Sequence, residues 1–416
     1  MKKPKMLDIE CYIDYYLVSF KCIDTGRYRE FEMYEGQPLD RTAISKIMNN
    51  NLTVSFNGLA YDLPMITAAL RGYTNEQLKC LSDELITSGK PGWLVCKNKK
   101  IFVPNKWDHI DLFNVAPGAA SLKIYGGRLH SKKLQDLPIE PDQSITPDLR
   151  PLMRSYCIND LDTTIDLYKK LEKQIALRVT LTEKYGVDLR SKSDAQMAET
   201  IIKNYLNQQG VDVVKRQTPV KPFKYRVPNW VKFKTDTFND VLETVKGVTF
   251  VAGDSGQVKL PKELNKSIEF YDAKYQIGIG GLHSQEKRQV IKPKSDEFFS
   301  EYDLTSMYPT IIIEQNLYPE HLTSKFLDTY IQIKDSRVEA KEEISKLKKE
   351  LKIKRTPEIE SRIAELDVLQ QTYKINLNGS YGKFGSKYSY LYSPELLIQT
   401  TITGQLSLLM MIERLE

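Results

Sequence analysis

The sequence predicts a mixed α/β protein of at least two domains, and three observations predict it. Residues 6 to 34 alternate apolar and polar side chains in three short runs, "MLDIECY", "YYLVSFKCID" and "RYREFEMY", the two-residue period of strands. Long stretches elsewhere repeat apolar residues every three or four positions, the period of helices. At 416 residues the chain exceeds what one hydrophobic core organises.

The first three runs read as a meander. Residues 38 to 50 then read as a helix, "LTVSFNG" as a further strand, and "YDLPMITAALRG" as a helix opened by an acid and a proline. A long helical stretch from 148 to 178 closes this part, which puts a domain boundary near residue 190. "SDAQMAETIIKNYLNQQG" starts on a Ser-Asp cap signal and stops at Gly210. Residues 217 to 265, rich in Lys, Pro and β-branched residues, read as a β-containing connection. From 275 to 320 the chain is strand-like with glycines, and "EYDLTSMYPT" sets Asp303 at the end of an alternating run. Helices at 326 to 353 and 357 to 378 meet at "RTP" as a hairpin, because proline suits a first helical turn. The last helix, from Ser393, is so apolar that it is expected to be covered by another surface.

Composition narrows the class. Charged residues make up 27% and hydrophobic ones 41%, ordinary for a soluble protein, and no apolar run is expected to reach the roughly 20 residues of a membrane span. Asp8, Glu10 and Asp14 interrupt the N-terminus where a signal peptide needs an apolar stretch. Five scattered cysteines without a CxxC pair argue against a zinc ribbon or disulfide frame, and are expected in core packing in a reducing cytoplasm. The net charge of +6 permits a polyanionic partner without requiring one. The basic run at 334 to 355 reads by itself as a solvated helix face.

Chemistry enters with the acids. Asp8 and Glu10, two apart on a strand, point to one face and can share metal ions, although such a pair alone is more often a solvated strand face. Asp62 follows a strand through "FNGLAYD", and Tyr156 and Asp160 are one helical turn apart. Asp108 and Asp111, in "WDHIDLF", fit no pattern and read as structural.

In this order "DIE", "NGLAYD" and "YCIND" resemble the three motifs, D-x-E, N-x3-(F/Y)-D and Y-x3-D, of the proofreading exonuclease domain of family B DNA polymerases. The resemblance covers roughly the first 175 residues. It implies an RNase H-like fold in which Asp8, Glu10, Asp62 and Asp160 hold two Mg²⁺ or Mn²⁺ ions, Tyr156 orients the attacking water and Asn57 lies near the primer end. Hard oxygen ligands suit those ions, and two of them about 3.5–4 Å apart activate a water and steady the departing 3′ oxygen.

Further on, "DLTSMYP" resembles motif A of the same family, with Asp303, Ser306, Met307, Tyr308 and Pro309 in place. "KINLNGSYG" resembles motif B, with Lys374, Asn378, Tyr381 and Gly382. The likeness implies that Asp303 coordinates catalytic Mg²⁺, that Tyr308 stacks beneath the incoming deoxynucleoside triphosphate, and that Lys374 and Asn378 face it. Arg337 and Lys341 match the R-x3-K pair of the fingers that binds the triphosphate. Tyr381 and Gly382 are implied to contact DNA. Gly280 and Gly281, in "GIGGLHS", resemble the template-contacting link between exonuclease and palm, although a plain turn uses glycines equally well.

The implied organisation is an exonuclease domain at 1–190, a connecting region at 191–270, the start of the palm at 271–325, fingers at 326–380 and palm again at 381–416. Motif C, the D-T-D-like turn that completes the metal site, has no counterpart. After Gly385 the only acids are Glu395, Glu413 and Glu416. The resemblance therefore implies the N-terminal subunit or fragment of a split polymerase, acting on primer–template and single-stranded DNA, with a second polypeptide supplying motif C and thumb. Its compactness fits a phage replicative enzyme. A stand-alone exonuclease with a DNA-binding remnant is the alternative, and a non-enzymatic clamp or scaffold a third.

Overall fold

The structure, a computed structural model, describes residues 4–302, 304 and 306–416, so Asp303 lies outside the described residues. It contains two compact units, the first ending at Ser193 and the second beginning at Asp194.

The first unit is a mixed sheet with helices on both faces. Strands β1 (Lys5–Cys11), β2 (Tyr16–Cys22) and β3 (Tyr28–Met33) form the expected meander, and α1 (Arg41–Asn50) follows, capped by the Asp40 carboxylate on the Ala43 N–H at 2.9 Å. Next come β4 (Leu52–Ser55), α2 (Asp62–Leu70), α3 (Asn75–Thr87), α4 (Gly92–Asn98), β5 (Asp108–Asp111), α5 (Leu122–Arg128), α6 (Arg150–Lys170) and α7 (Glu172–Tyr185). The sheet order is β3-β2-β1-β4-β5, with β1, β4 and β5 parallel and the meander antiparallel.

Alternation along central β1 decides what each face does. Leu7, Ile9 and Cys11 are buried with Ile44, Met65 and Leu78 from α1, α2 and α3. Met6 packs on the other face with Val54, Ile110, Leu161 and Ile165. Asp8 and Glu10 share that second face, which is the face α6 covers.

Three expectations for this unit need correction. The single helix from 148 to 178 is two, α6 and α7, parted at Leu171, whose side chain turns into the core. Strand β5 escaped the sequence reading because it is short and buries two polar side chains, His109 and Asp111, beside Ile110: His109 sits between the Thr53 hydroxyl at 2.9 Å and the Ser55 hydroxyl at 3.1 Å instead of in apolar packing. Of the cysteines expected in the core, Cys80 is exposed and Cys22 and Cys96 are half-buried, and all five are free thiols.

The second unit contains α8 (Asp194–Gln208), α9 (Asp236–Gly247), a three-stranded antiparallel sheet of β6 (Ser267–Phe270), β7 (Ala273–Ile277) and β8 (Leu282–Ser284), then α10 (Met307–Glu314), α11 (Lys325–Ile353), α12 (Pro357–Phe384) and α13 (Pro394–Leu415). The stretch at 217 to 265 is more helical than its composition suggested. Helix α9 turns Phe238, Leu242 and Val245 inward, and the β pairing there among the described residues is two isolated bridges, Phe223 with Phe250 and Ala252 with Val258. The alternating run before Asp303 forms no strand among the described residues; Phe298 and Phe299 are 83% and 65% exposed. The hairpin forms as expected, with Thr356 capping α12 and Pro357 in its first turn.

Helix α13 overturns one expectation. It is long and apolar enough to cross a membrane by length and composition, yet 67% of that stretch is buried inside the protein. Its residues from Leu396 to Leu406 are covered by the unit's own core, including Phe238, Phe250 and Tyr225, while Met410, Met411 and Ile412 are half-buried and Leu415 is exposed.

Candidate active site

The sheet and α6 gather the acids of the first unit. β1 presents Asp8 and Glu10, both half-buried, on the α6 side, and α6 presents Tyr156, Cys157 and Asp160 on successive turns toward them. The Cys157 thiol donates to Asp8 at 3.4 Å, and ligand atoms of Asp8, Glu10 and Cys157 all lie within 4.8 Å of one another. Asp62 opens α2 and is 4% exposed.

The electrostatics describe one crowded cluster. Burial, then the charges of Glu10, Asp62 and Asp160, hold the Asp8 carboxyl well above the usual carboxylate range. Burial and the charges of Asp160 and Asp62 do the same to Glu10, against the attraction of Lys123. Asp62 is pushed up to about 8 by burial and by Asp111. Burial raises Asp160 too, while hydrogen bonds from Asn159 and Tyr156 and the Lys123 charge hold that rise back. The Lys123 ammonium lies 5.6 Å from the centre of the Tyr156 ring. Asp8 and Glu10, whose ionisation Asp62 and Asp160 disfavour, would be stabilised by added positive charge, and with Cys157 they could hold a metal ion.

Asn57 is exposed on the loop between β4 and α2 and takes a left-handed backbone, φ 66°. Asp111, read as structural from sequence, holds that loop: its carboxylate accepts the backbone N–H of Asn57 at 2.8 Å and of Leu59 at 3.0 Å. Asp111, Cys157 and Lys123 are the participants that sequence reasoning missed. Only position 111, an acid ending a short run after "NGLAYD", left a signal.

The second unit assembles a different group. Tyr308, in the first turn of α10, stacks on Tyr381 of α12 with ring centres 4.5 Å apart, and its hydroxyl donates to the Gly280 carbonyl at 3.0 Å. Tyr381 in turn hydrogen-bonds Thr401 of α13. The Arg337 guanidinium donates to the Ser306 hydroxyl at 3.2 Å. Lys374, Asn378 and Gly382 occupy one exposed face of α12 at four-residue spacing, and Lys341 is exposed on α11.

Gly280 and Gly281 do not owe their place to a left-handed backbone; the tight glycine of this loop is Gly278, where a Cβ would lie 2.9 Å from the Gly281 carbonyl. Gln405 of α13 pins the loop by accepting the Gly278 N–H at 3.1 Å and donating to its carbonyl at 2.9 Å. Gly404 leaves room for the Tyr308 ring, since a Cβ there would meet it at 2.9 Å. Thr401, Gly404 and Gln405 were hidden to sequence reasoning inside a helix that reads as uniformly apolar.

No protein-family model matches this chain, and neither does any curated protein. The mixed α/β character and a possible Asp8, Glu10 and Cys157 metal cluster therefore stand on the structure itself.

Proposed function

We propose that the first unit is a divalent-metal-dependent 3′-5′ DNA exonuclease of the family B proofreading type, and that the second carries the nucleotide-binding half of a family B polymerase site. The observation that carries this reading is the Asp8 and Glu10 pair on β1, facing α6 and close enough to feel the charges of Asp62 on α2 and Asp160 on α6, in the motif order of that family. The strand order β3-β2-β1-β4-β5, with two antiparallel pairings followed by two parallel ones, supports an RNase H-like fold.

Asp8, Glu10, Asp62 and Asp160 would hold two ions, which when bound supply an activated water and charge for the leaving 3′ oxygen. Burial and the neighbouring acids keep the Tyr156 phenol protonated, so it acts as a hydrogen-bond donor that orients water or phosphate. The exposed Asn57 would lie near a single-stranded 3′ end, as the resemblance implies. In the second unit the Tyr308–Tyr381 stack offers a flat platform for a deoxynucleotide, and Arg337, Lys341 and Lys374 offer charge to its triphosphate.

Asp303, the expected metal ligand there, keeps its role on the resemblance alone. The second carboxylate of that site has no counterpart downstream of motif B in these 416 residues, so on this reading motif C and thumb come from outside them.

Two variants divide the halves. Asp8→Ala should abolish trimming of a 3′ end, while Asp303→Ala should leave trimming intact and abolish synthesis once the partner chain is supplied. An Asp303→Ala complex that still extends primers contradicts the polymerase half. A stand-alone nuclease is the competing reading, favoured by the complete set of acids within the first unit; it gains if no second chain co-purifies.

A further inference from the structure

We infer that Asp111 is a positioning residue for Asp62: its carboxylate clamps the backbone between β4 and α2 and thereby fixes the reach of the Asp62 carboxylate into the acidic cluster. The inference rests on the exonuclease reading above. Asp111 is 1% exposed, and its two oxygens accept three backbone N–H groups, Asn57 at 2.8 Å, Leu59 at 3.0 Å and Phe113 at 2.9 Å. A buried carboxylate has few better uses for its lone pairs, since each unmet backbone N–H would be left without a partner.

The bonds continue to Asp62. Gly58 lies between the two clamped residues, and a Cβ there would collide with the Ser55 hydroxyl and come 3.3 Å from Asp62 Oδ2. The Gly58 carbonyl accepts the Leu63 N–H at 2.9 Å, tying the first turn of α2 to the clamp. The anchor is itself held. Asp111 donates its own N–H to the Ser191 hydroxyl at 2.9 Å, and β5 is locked to β4 by His109 between Thr53 and Ser55. The left-handed Asn57 is a backbone conformation that the clamp keeps in place.

Asn in place of Asp111 keeps one acceptor oxygen and turns an amide N–H₂ toward a backbone N–H, so the clamp loses at least one bond. Groups that orient a metal-binding carboxylate typically change activity or metal affinity by about 10–100-fold when removed. The test uses the full chain on a 5′-labelled single-stranded oligodeoxynucleotide with Mg²⁺ varied, after circular dichroism has shown each variant folded. D111N should lower kcat about 10–100-fold, raise the Mg²⁺ needed for half-maximal rate and leave KM for DNA within about twofold. Lys46→Ala, at an exposed position of α1 outside the clamp, should stay within about twofold of wild type.

Wild-type kcat and Mg²⁺ requirement in D111N, with D62A inactive, overturns the inference and leaves the nuclease reading standing. A wild type that trims nothing overturns both. Hydrogen exchange of the wild-type protein gives a check independent of whether D111N folds. Amides at 57 and 59 should exchange far more slowly than those of the exposed 286–302 stretch. Equal rates would mean that the clamp is not formed.

Discussion

Single residues carry the proposed chemistry, and the state of their protons is the most direct consequence of how they are packed. Folding raises the Asp8, Glu10, Asp62 and Asp160 carboxyls, so between their ordinary range near pH 4 and about pH 8, where Asp62 titrates, the folded protein binds more protons than the unfolded chain. Metal-free protein should therefore lose stability as pH rises through that window. Bound Mg²⁺ replaces the missing protons, so its stabilising effect should grow from pH 5 to pH 8; melting curves in chelator and in Mg²⁺ across that range check it, and a Mg²⁺ effect that shrinks with pH contradicts it. His109 behaves in the opposite sense. Burial and the nearby Arg190 push its imidazole down to about 3, so stability is present above pH 6.5 and drains away as pH falls toward 3. Replacement of His109 by Gln, which can keep a bond to one hydroxyl, should flatten that acid limb in a pH-dependent melting series.

At the scale of elements, alternation and helical period were legible where one face is apolar and the other is not. The β1–β3 meander and the α11–α12 hairpin stand where those patterns place them, because Leu7, Ile9 and Cys11 mark one face and a Thr-Pro pair marks a first turn. The patterns gave no notice of β5, a short strand that buries His109 and Asp111 beside Ile110, or of the role of α13. That helix reads as apolar bulk, yet Thr401, Gly404 and Gln405 inside it organise the surroundings of Tyr308. A paired substitution tests this view. Alanine at Gly404 adds a methyl against Tyr308 and Met307, and overpacking of about 1–3 kcal/mol outweighs about 1 kcal/mol of helix propensity, so the protein should melt lower. Alanine at Gly382, where a Cβ meets open space, should melt higher by the propensity gain alone.

For the whole molecule, the division at Ser193 and Asp194 assigns each candidate site to one unit. The acids of the nuclease reading were legible as motifs spread over roughly 150 residues of sequence; their convergence was not, because it depends on α6 crossing β1 and on a clamp from β5 that follows no motif. The measurement that tests the central claim most directly is a gel assay of the 416-residue chain on a 5′-labelled recessed primer–template with Mg²⁺, with and without the four deoxynucleoside triphosphates. The account predicts stepwise shortening from the 3′ end in both conditions, at a rate at least about 100-fold lower in D8A and D62A. A wild-type chain that leaves the primer intact would contradict it.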